Sequence, residues 1–508
     1  MGIYCSGAAT LLLLVVTLLS AGQTARRSDA SSGDAARRDL DAIGAPIQAM
    51  PADEAIVRAL GHISPDQIQH TIAALVSFHN RSTLSSMDAD LPKGTGVSAA
   101  ADWIEAQFKQ ISSDCGGCLD VRRDTFTQAP GTGPNSRVLQ PTTPTNVYAV
   151  MRGSDPQQAA RMILVTGHYD SRATDVMDTH SEAPGANDDA SGVAVSLECA
   201  SALTKLKLPA TMIFVAVAGE EQGLFGSRHL AELAKQQNWQ LEGVLNNDIV
   251  GGNRTPGDRL QDDHAVRVFS ESIPASATPD EIRRIVLLGY ESDSPSRELA
   301  RAVTYVGRTY TGSPADTTVP VASGLAAVLE FRRDRFLRGG DHTSFNQEGF
   351  AGVRFTEWRE DFNHQHQNVR VENGVQYGDL LQYVNFDYVA RIAHLNAATM
   401  AVLASAPPEP VNVKYPPEKV FNNSLDNTEI DWQDGPGAPQ GSKYEIVWRA
   451  TDAPDWQRSI MADRAQATQN SGTWSVTLPI SKDNVIFGIR AVDAAGHRSP
   501  AVVPVPGR

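Results

Sequence analysis

The chain has no basic surplus with which to hold a polyanion. Its 44 Lys and Arg are outnumbered by 59 Asp and Glu, for a formal net charge of -15. A nucleic-acid surface needs clustered cations to displace counterions, so nucleic acid is excluded as a partner. Cysteine is scarce as well, four residues in 508, too few for a disulfide framework. Long apolar runs are nearly absent. The run at 11–19 falls short of the roughly 20 residues that span a bilayer and is followed by Ser20-Ala21-Gly22-Gln23, then Arg26 and Arg27. It reads as a signal peptide over residues 1–22, predicting a secreted or periplasmic protein with no stable membrane insertion. Cys5 leaves with that leader, and Cys115, Cys118 and Cys199 remain. In an exported chain with no second such pair, Cys115-Gly116-Gly117-Cys118 favours a local disulfide over a redox or metal pair. Cys199, in an apolar helix-like stretch, reads as a buried thiol.

What is present is a core. Hydrophobic residues make up 41% and charged residues 20%, the balance of a globular protein whose length calls for two domains. Residues 23–62 read as a flexible segment, most of it without sustained periodicity. From 63 on, Ser64-Pro65-Asp66-Gln67 supplies an N-cap, a first-turn proline and a capping-box partner, with Ile68, Ile72, Leu75 and Val76 on one face. A second helix is predicted from near Ser98, through Ile104, Phe108 and Ile111. Short apolar runs recur at 146–151, 162–166, 212–218, 243–245, 326–331 and 353–356, with helix-like stretches between several of them. Strands apolar on both faces predict an α/β fold with a mostly parallel central sheet flanked by helices. In such sheets chemistry gathers at the carboxyl ends of strands.

After the helix-like 387–403, Ala406-Pro407-Pro408-Glu409-Pro410 opens a predicted linker over 406–415. Beyond it apolar residues alternate, as in Tyr444, Ile446 and Trp448 or Val485, Phe487 and Ile489, so 416–508 is predicted to be an all-β sandwich.

Five segments place metal-ligand chemistry after apolar or glycine-rich stretches: Gly167-His168-Tyr169-Asp170, Asn187-Asp188-Asp189-Ala190-Ser191, Gly219-Glu220-Glu221, Asn246-Asn247-Asp248 and Gly340-Asp341-His342. Singly each has an ordinary explanation. His-x-Asp is usually a structural hydrogen bond, Asp189 or Ser191 can cap a helix, and adjacent glutamates are commonly just solvated. Together they offer two imidazoles and three carboxylates, a donor set suited to a pair of zinc ions. In the glutamate pair one carboxylate can bind metal while its neighbour handles a proton.

These five motifs, in this order, with Leu75-Val76-Ser77-Phe78 and Asn80-Arg81 upstream, resemble peptidase family M28, and most of all its aminopeptidase branch, over residues 63–405. The resemblance implies a zinc exopeptidase fold, two Zn²⁺ ions and a peptide or protein substrate. Matched motif by motif, His168 and Asp248 would hold one zinc, Glu221 and His342 the other, with Asp188 between them. Glu220 would be general base and acid, Asp170 would orient His168, and the Asp188-Asp189 peptide would be cis. Carboxypeptidases and dipeptidases share these motifs, and the same fold carries single-zinc glutaminyl cyclases and metal-free binding domains. Arg332-Arg333-Asp334-Arg335 reads either as a carboxylate clamp or as a salt-bridged loop, and His364 and His366 either as pocket residues or as a surface cluster. Ile489-Arg490-Ala491-Val492-Asp493 through Ser499-Pro500 resembles the end of a fibronectin type III domain, whose expected role is polymer or cell-surface contact, against that of a stabilising appendage.

Overall fold

Runs that are apolar on both sides must be covered on both sides, and the chain does this with one large sheet. The computed structural model describes residues 40–312, 324–419 and 426–507; the expected signal peptide and residues 23–39 of the segment behind it lie outside them. The first strand, β1 (Ala45–Pro46), belongs to a later sheet. The central sheet contains β2 (Asp120–Thr125), β3 (Thr145–Met151), β4 (Arg161–His168), β5 (Thr211–Val217), β6 (Gln240–Asn247), β7 (Ala265–Ser270), β8 (Ala326–Glu330) and β9 (Gly352–Glu357). Their order is β2-β3-β5-β4-β6-β9-β7-β8. The central pairs β5/β4, β4/β6 and β6/β9 are parallel, as is β7/β8, while β2/β3, β3/β5 and β7/β9 are antiparallel. Every residue of β5 is buried, as a strand covered on both faces requires.

One face is covered by α1 (Glu54–Leu60), α2 (Pro65–Val76), α3 (Gly96–Asp114), α4 (Ala190–Leu203), α8 (Pro295–Tyr310) and α10 (Phe386–Ser405). The other is covered by α6 (Phe225–Gln236) and α9 (His342–Gln347), whose Leu230, Ala231 and Phe345 pack on Leu164, Ile213 and Val215. The short α5 (Glu220–Gly223) follows β5, and α7 (Pro279–Leu288) lies outside the core with no buried residue. Ser64 caps α2 through Gln67 N at 3.4 Å. The capping box is only half formed, because the Ser64 N–H donates instead to Glu198 Oε2 at 3.0 Å. Cys115 and Cys118 are joined in a disulfide and Cys199 is a buried free thiol.

After the hairpin β10 (Arg370–Glu372) and β11 (Val375–Tyr377) and the long helix α10, the chain enters a two-sheet sandwich. It is built from β12 (Val411–Tyr415), β13 (Thr428–Gln433), β14 (Lys443–Ala450), β15 (Arg458–Met461), β16 (Thr468–Asn470), β17 (Thr473–Leu478), β18 (Val485–Val492) and β19 (Val505–Pro506). One sheet runs β1-β15-β14-β18, the other β16-β17-β13-β12-β19. The alternating residues Ile430, Trp432, Tyr444, Ile446, Trp448, Phe487 and Ile489 meet between them. Two boundaries expected from the sequence shift. Residues 411–415, assigned to the linker, form β12, and Ala406 is clamped by Arg161, whose Nη1 donates to its carbonyl at 2.8 Å. Residues 40–62, assigned to a flexible segment, are folded. Trp448 Nε1 donates to Leu40 O at 2.9 Å, β1 pairs with β15, and α1 buries Ile56, Ala59 and Leu60. Asp53, accepting from Ala55 N at 2.6 Å, is the cap that starts α1, and the amino-terminal segment thereby straps the sandwich to the peptide chain's main core.

Charged groups lock the two domains. Arg449 Nη2 of β14 meets Asp293 at 2.6 Å, Trp456 Nε1 donates to Glu298 Oε2 at 3.0 Å, and the Tyr305 ring of α8 lies under Arg490 at 4.5 Å and Arg498 at 5.3 Å. Both arginines converge on Glu445, at 2.9 and 2.7 Å. Burial alone would raise the Glu445 carboxyl, but the two guanidiniums outweigh it and hold the group down at about 2, against an ordinary 4.5. A depressed folded-state value stabilises the protein above the ordinary value, and this stability is lost as pH falls through the folded one. Between pH 5 and 2 the wild type should therefore shed on the order of 3 kcal/mol through this group. Denaturant titrations at stepped pH should give a flatter curve for Glu445→Gln over that interval; superimposable curves would remove Glu445 from the account.

Candidate metal centre

Because β4, β5 and β6 run parallel, their carboxyl ends share one edge, and three of the five singled-out segments come out there. His168 is the last residue of β4, Glu220 and Glu221 begin α5 just after β5, and Asp248 follows β6. Asp188 and Asp189 precede α4, and α4 approaches β4 backbone to backbone. A Cβ on Gly167 would lie 2.4 Å from the Gly192 carbonyl carbon, so only glycine allows the contact that sets His168 beside Asp188. The Asp188-Asp189 peptide is cis.

The ligand atoms form two overlapping groups. His168, Asp188 and Asp248 offer atoms within 4.8 Å of one another, and so do Asp188, Glu221 and His366. His168 Nε2 stands 3.1 Å from Asp188 Oδ1 and 3.9 Å from Asp248 Oδ1, while His366 Nε2 stands 2.9 Å from Asp188 Oδ2 and 3.1 Å from Glu221 Oε1. Asp188 is the member common to both.

The second histidine corrects the sequence reading. His342, expected as a ligand, is the first residue of α9 and is buried away from the carboxylates. Its Nε2 lies 2.8 Å from Arg333 O and 3.7 Å from Asp334. Burial holds this imidazole neutral, with its pKa lowered to about 4. The position is instead filled by His366, in a left-handed backbone conformation (φ 56°) within Asn363-His364-Gln365-His366-Gln367. Burial opposes charge on this ring, but Glu221 and Asp188 outweigh it and raise its pKa to about 10. His364, its neighbour in the motif, is structural: it stacks on Tyr383 at 3.8 Å and faces Asn253 Oδ1 at 3.1 Å. The Arg332–Arg335 stretch is in the main a bonded loop, with Arg333 donating to Thr343 O and Arg335 paired with Asp334 and Glu360.

Asp170 does more than the sequence suggests. His168 Nδ1 lies 3.1 Å from the Asp170 carbonyl and 3.5 Å from its carboxylate, which turns Nε2 toward the cluster. The same carboxylate accepts from the backbone N–H of Glu220 at 3.3 Å and Glu221 at 3.2 Å, tying the histidine strand to the glutamate turn. Asp189, by contrast, is a brace: it accepts from His168 N at 2.9 Å, Gly192 N at 3.0 Å and Ile249 N at 3.2 Å, joining three ligand segments. Asp379 accepts from Asn187 N and Asp188 N, at 2.9 and 2.7 Å.

Arg81 lies beneath this frame, fully buried, and spends its guanidinium on backbone carbonyls: Tyr169 O at 2.7 Å, Leu75 O at 2.9 Å, Pro184 O and Gly185 O. It thus pins the segment after His168 to the loop before Asp188. Leu75 O and Gly185 O also accept from the backbone N–H of Phe78 and Ala190, so Arg81→Met should leave two buried carbonyls, Tyr169 O and Pro184 O, short of a donor and cost about 2–3 kcal/mol. Urea denaturation of the variant beside wild type measures this, and an unchanged midpoint would show the carbonyls to be satisfied otherwise.

The donor set fits divalent metal. His168 Nε2 and Glu221 Oε1 are buried without a hydrogen bond of acceptable geometry. Burial disfavours an imidazolium at His168, yet Asp170 and Asp188 reverse this and hold its proton affinity well above the ordinary value. A field that strongly favours a proton there favours a dication more. Carboxylate oxygens mixed with imidazole nitrogens are the ligands zinc takes. The Glu220 carboxylate stands outside both groups on the wall of a cavity of about 460 Å3, together with Asp188, Glu221, Asp248 and His366.

Residues 146–281 match the profile of peptidase family M28. A probable zinc metalloprotease of Pyrenophora tritici-repentis is 40% identical over 469 residues, 92% of this chain and 90% of its own length. One from Pyricularia oryzae is 41% identical over 92% of this chain and 87% of its own. Among solved structures, the LapA aminopeptidase of Legionella pneumophila is 19% identical with a TM-score of 0.46, covering 70% of this chain and 76% of its own. Identity at this level over nine-tenths of the sequence settles descent: the chain belongs to peptidase family M28.

Proposed function

We propose that the protein is a zinc-dependent exopeptidase with two co-catalytic ions, and that it acts as an aminopeptidase on peptides. The observation that carries this reading is the pair of ligand groups sharing Asp188. His168 and Asp248 complete one, Glu221 and His366 the other, and zinc is the metal that the relatives' names give. When bound, such a pair supplies Lewis acidity that polarises a scissile carbonyl and makes water acidic enough to attack near neutral pH. Glu220 takes the proton of that water and passes it to the leaving amine nitrogen. Asp170 and Asp189 hold the ligand segments in register while it does so. Attack at a chain end and its amino-terminal polarity rest on the resemblance to the aminopeptidase branch alone, since carboxypeptidases and dipeptidases share the motifs. Export is part of the same proposal, supported by the apolar run at 11–19 and the Cys115–Cys118 disulfide. For the sandwich we propose a scaffold role, since Arg449, Trp456, Arg490 and Arg498 are engaged with α8 and the turn before it.

The test is chelation and reconstitution with free and amino-blocked aminoacyl substrates. Activity should vanish on zinc removal, return with zinc, and require a free amino end. His366→Ala should lose about one of two zinc equivalents and most turnover, whereas His342→Ala should keep its zinc and lose only stability. Full activity after exhaustive chelation, or zinc loss in the His342 variant alone, would defeat the reading.

A further inference from the structure

The same cavity wall also carries guanidiniums, from Arg137, Arg172, Arg335 and Arg338. Their partners do not balance them. Arg335 and Arg338 both reach Glu360, at 2.9 and 2.7 Å, and Arg267 reaches its other oxygen at 3.3 Å, so three cations share one carboxylate. Arg335 has Asp334 as well, but Asp334 also serves Arg354. Among the described residues Arg172 donates only to the carbonyls of Ala173 and Thr174. Arg137, exposed to the cleft, is held by a bond from Nη1 to Glu221 O at 2.7 Å, and neither arginine has a carboxylate partner among the described residues.

On the metallopeptidase reading, on which this inference rests, two dications would match the charge of Asp188, Glu220, Glu221 and Asp248. Arg137 and Arg172 then have no carboxylate counterpart among the described residues, Arg335 and Arg338 share theirs, and the cleft attracts anions although the chain as a whole is acidic. A guanidinium presents paired N–H groups to a carboxylate, a match that a neutral amide cannot replace. We propose that the cleft selects peptides carrying a carboxylate beside the scissile bond, and that Arg137, Arg172 and Arg338 hold it. The carboxylate is either the free carboxyl end of a very short peptide or an acidic side chain next to the cut.

The zinc-loaded enzyme is given Leu-Ala-amide, Leu-Ala and Leu-Glu-amide. At least one of the two acids should exceed the neutral amide by about tenfold in kcat/KM. Preference for Leu-Ala identifies the carboxyl end, preference for Leu-Glu-amide the side chain. Arg338→Gln and Arg172→Gln should each reduce that ratio severalfold, mainly through KM. Arg283→Gln, which removes the same charge from an exposed arginine paired with Asp280 on α7, should keep it. Calorimetric binding of the preferred acid's product to zinc-loaded protein should weaken in the same two variants. Equal hydrolysis of all three substrates overturns the carboxylate site and leaves the peptidase reading standing. Inertness to all three, with the acidic ligand still bound through Arg338 and Arg172, overturns the peptidase reading and keeps the site; inertness without such binding overturns both.

Discussion

Replacing Glu220 by glutamine is expected to lower kcat by about 10²–10⁴-fold, the range that a positioned proton acceptor contributes, with zinc content and fold unchanged. The expectation comes from where the carboxylate stands. It opens α5 behind Gly219, whose positive φ of 76° turns the chain at the end of β5, and it faces the cavity without belonging to either ligand group. No hydrogen bond to its carboxylate occurs among the described residues, so nothing in the frame depends on it. Burial raises its proton affinity well above the ordinary value, and Asp248, Glu221 and Asp341 add to this against the pull of His168. A group so placed is ready to accept a proton from a neighbour made acidic. Glutamine keeps the volume and one oxygen but cannot accept that proton. The matching change one residue later, Glu221→Gln, removes a ligand and should cost metal instead, so metal analysis of the two variants separates the roles. Undiminished turnover in Glu220→Gln would take Glu220 out of the reaction.

How the site arises from the chain explains which parts of it the sequence discloses. β4, β5 and β6 are legible because residues buried on both faces leave an unbroken apolar run, and the polar residue that ends each run falls on the functional edge. That places His168, Glu220, Glu221 and Asp248 with no further information. Strand β2, Asp-Val-Arg-Arg-Asp-Thr, is an edge strand whose exposed charges hide it, and in β7, Ala-Val-Arg-Val-Phe-Ser, Arg267 interrupts the apolar run. His366 is a different kind of miss. It lies on an irregular loop, in a left-handed conformation, and no period of 2.0 or 3.6 reports such a residue. The match of Gly340-Asp341-His342 to the family's motif put the ligand at His342, which the fold uses as a neutral wedge against Arg333. The only local signal was the paired histidines themselves, and only one of them points inward. Arg81 and Asp189 show in the sequence only as part of a motif and as a helix cap, which Asp189 is, and their bonds to backbone atoms of segments up to about a hundred residues away leave no sequence signal.

Asp188→Ala should abolish activity by removing the one side chain that both ligand groups contain. Without it His168 keeps only Asp248 as a nearby ligand, and His366 only Glu221. Two protein ligands do not fill the three or four positions that zinc needs from its site, so both ions should be lost together rather than one. Loss of both follows from sharing, and it distinguishes Asp188 from His366, whose removal should spare the group containing His168. Stability should respond in the same sense. A ligand that binds only the folded state adds about 2.7 kcal/mol at a hundredfold excess over its Kd, so zinc should raise the Tm of wild type strongly and that of the variant little. The carboxylate is not needed to hold the loop, because Asp379 bonds the backbone N–H of residue 188 and Asp189 bonds the neighbouring strands. The variant should accordingly fold, with the Asp188 contacts to His168, Gln365 and His366 as its local losses. A purified, folded Asp188→Ala protein carrying two zinc ions per chain would show that the two groups are independent, and the shared carboxylate on which the mechanism turns would have to be given up.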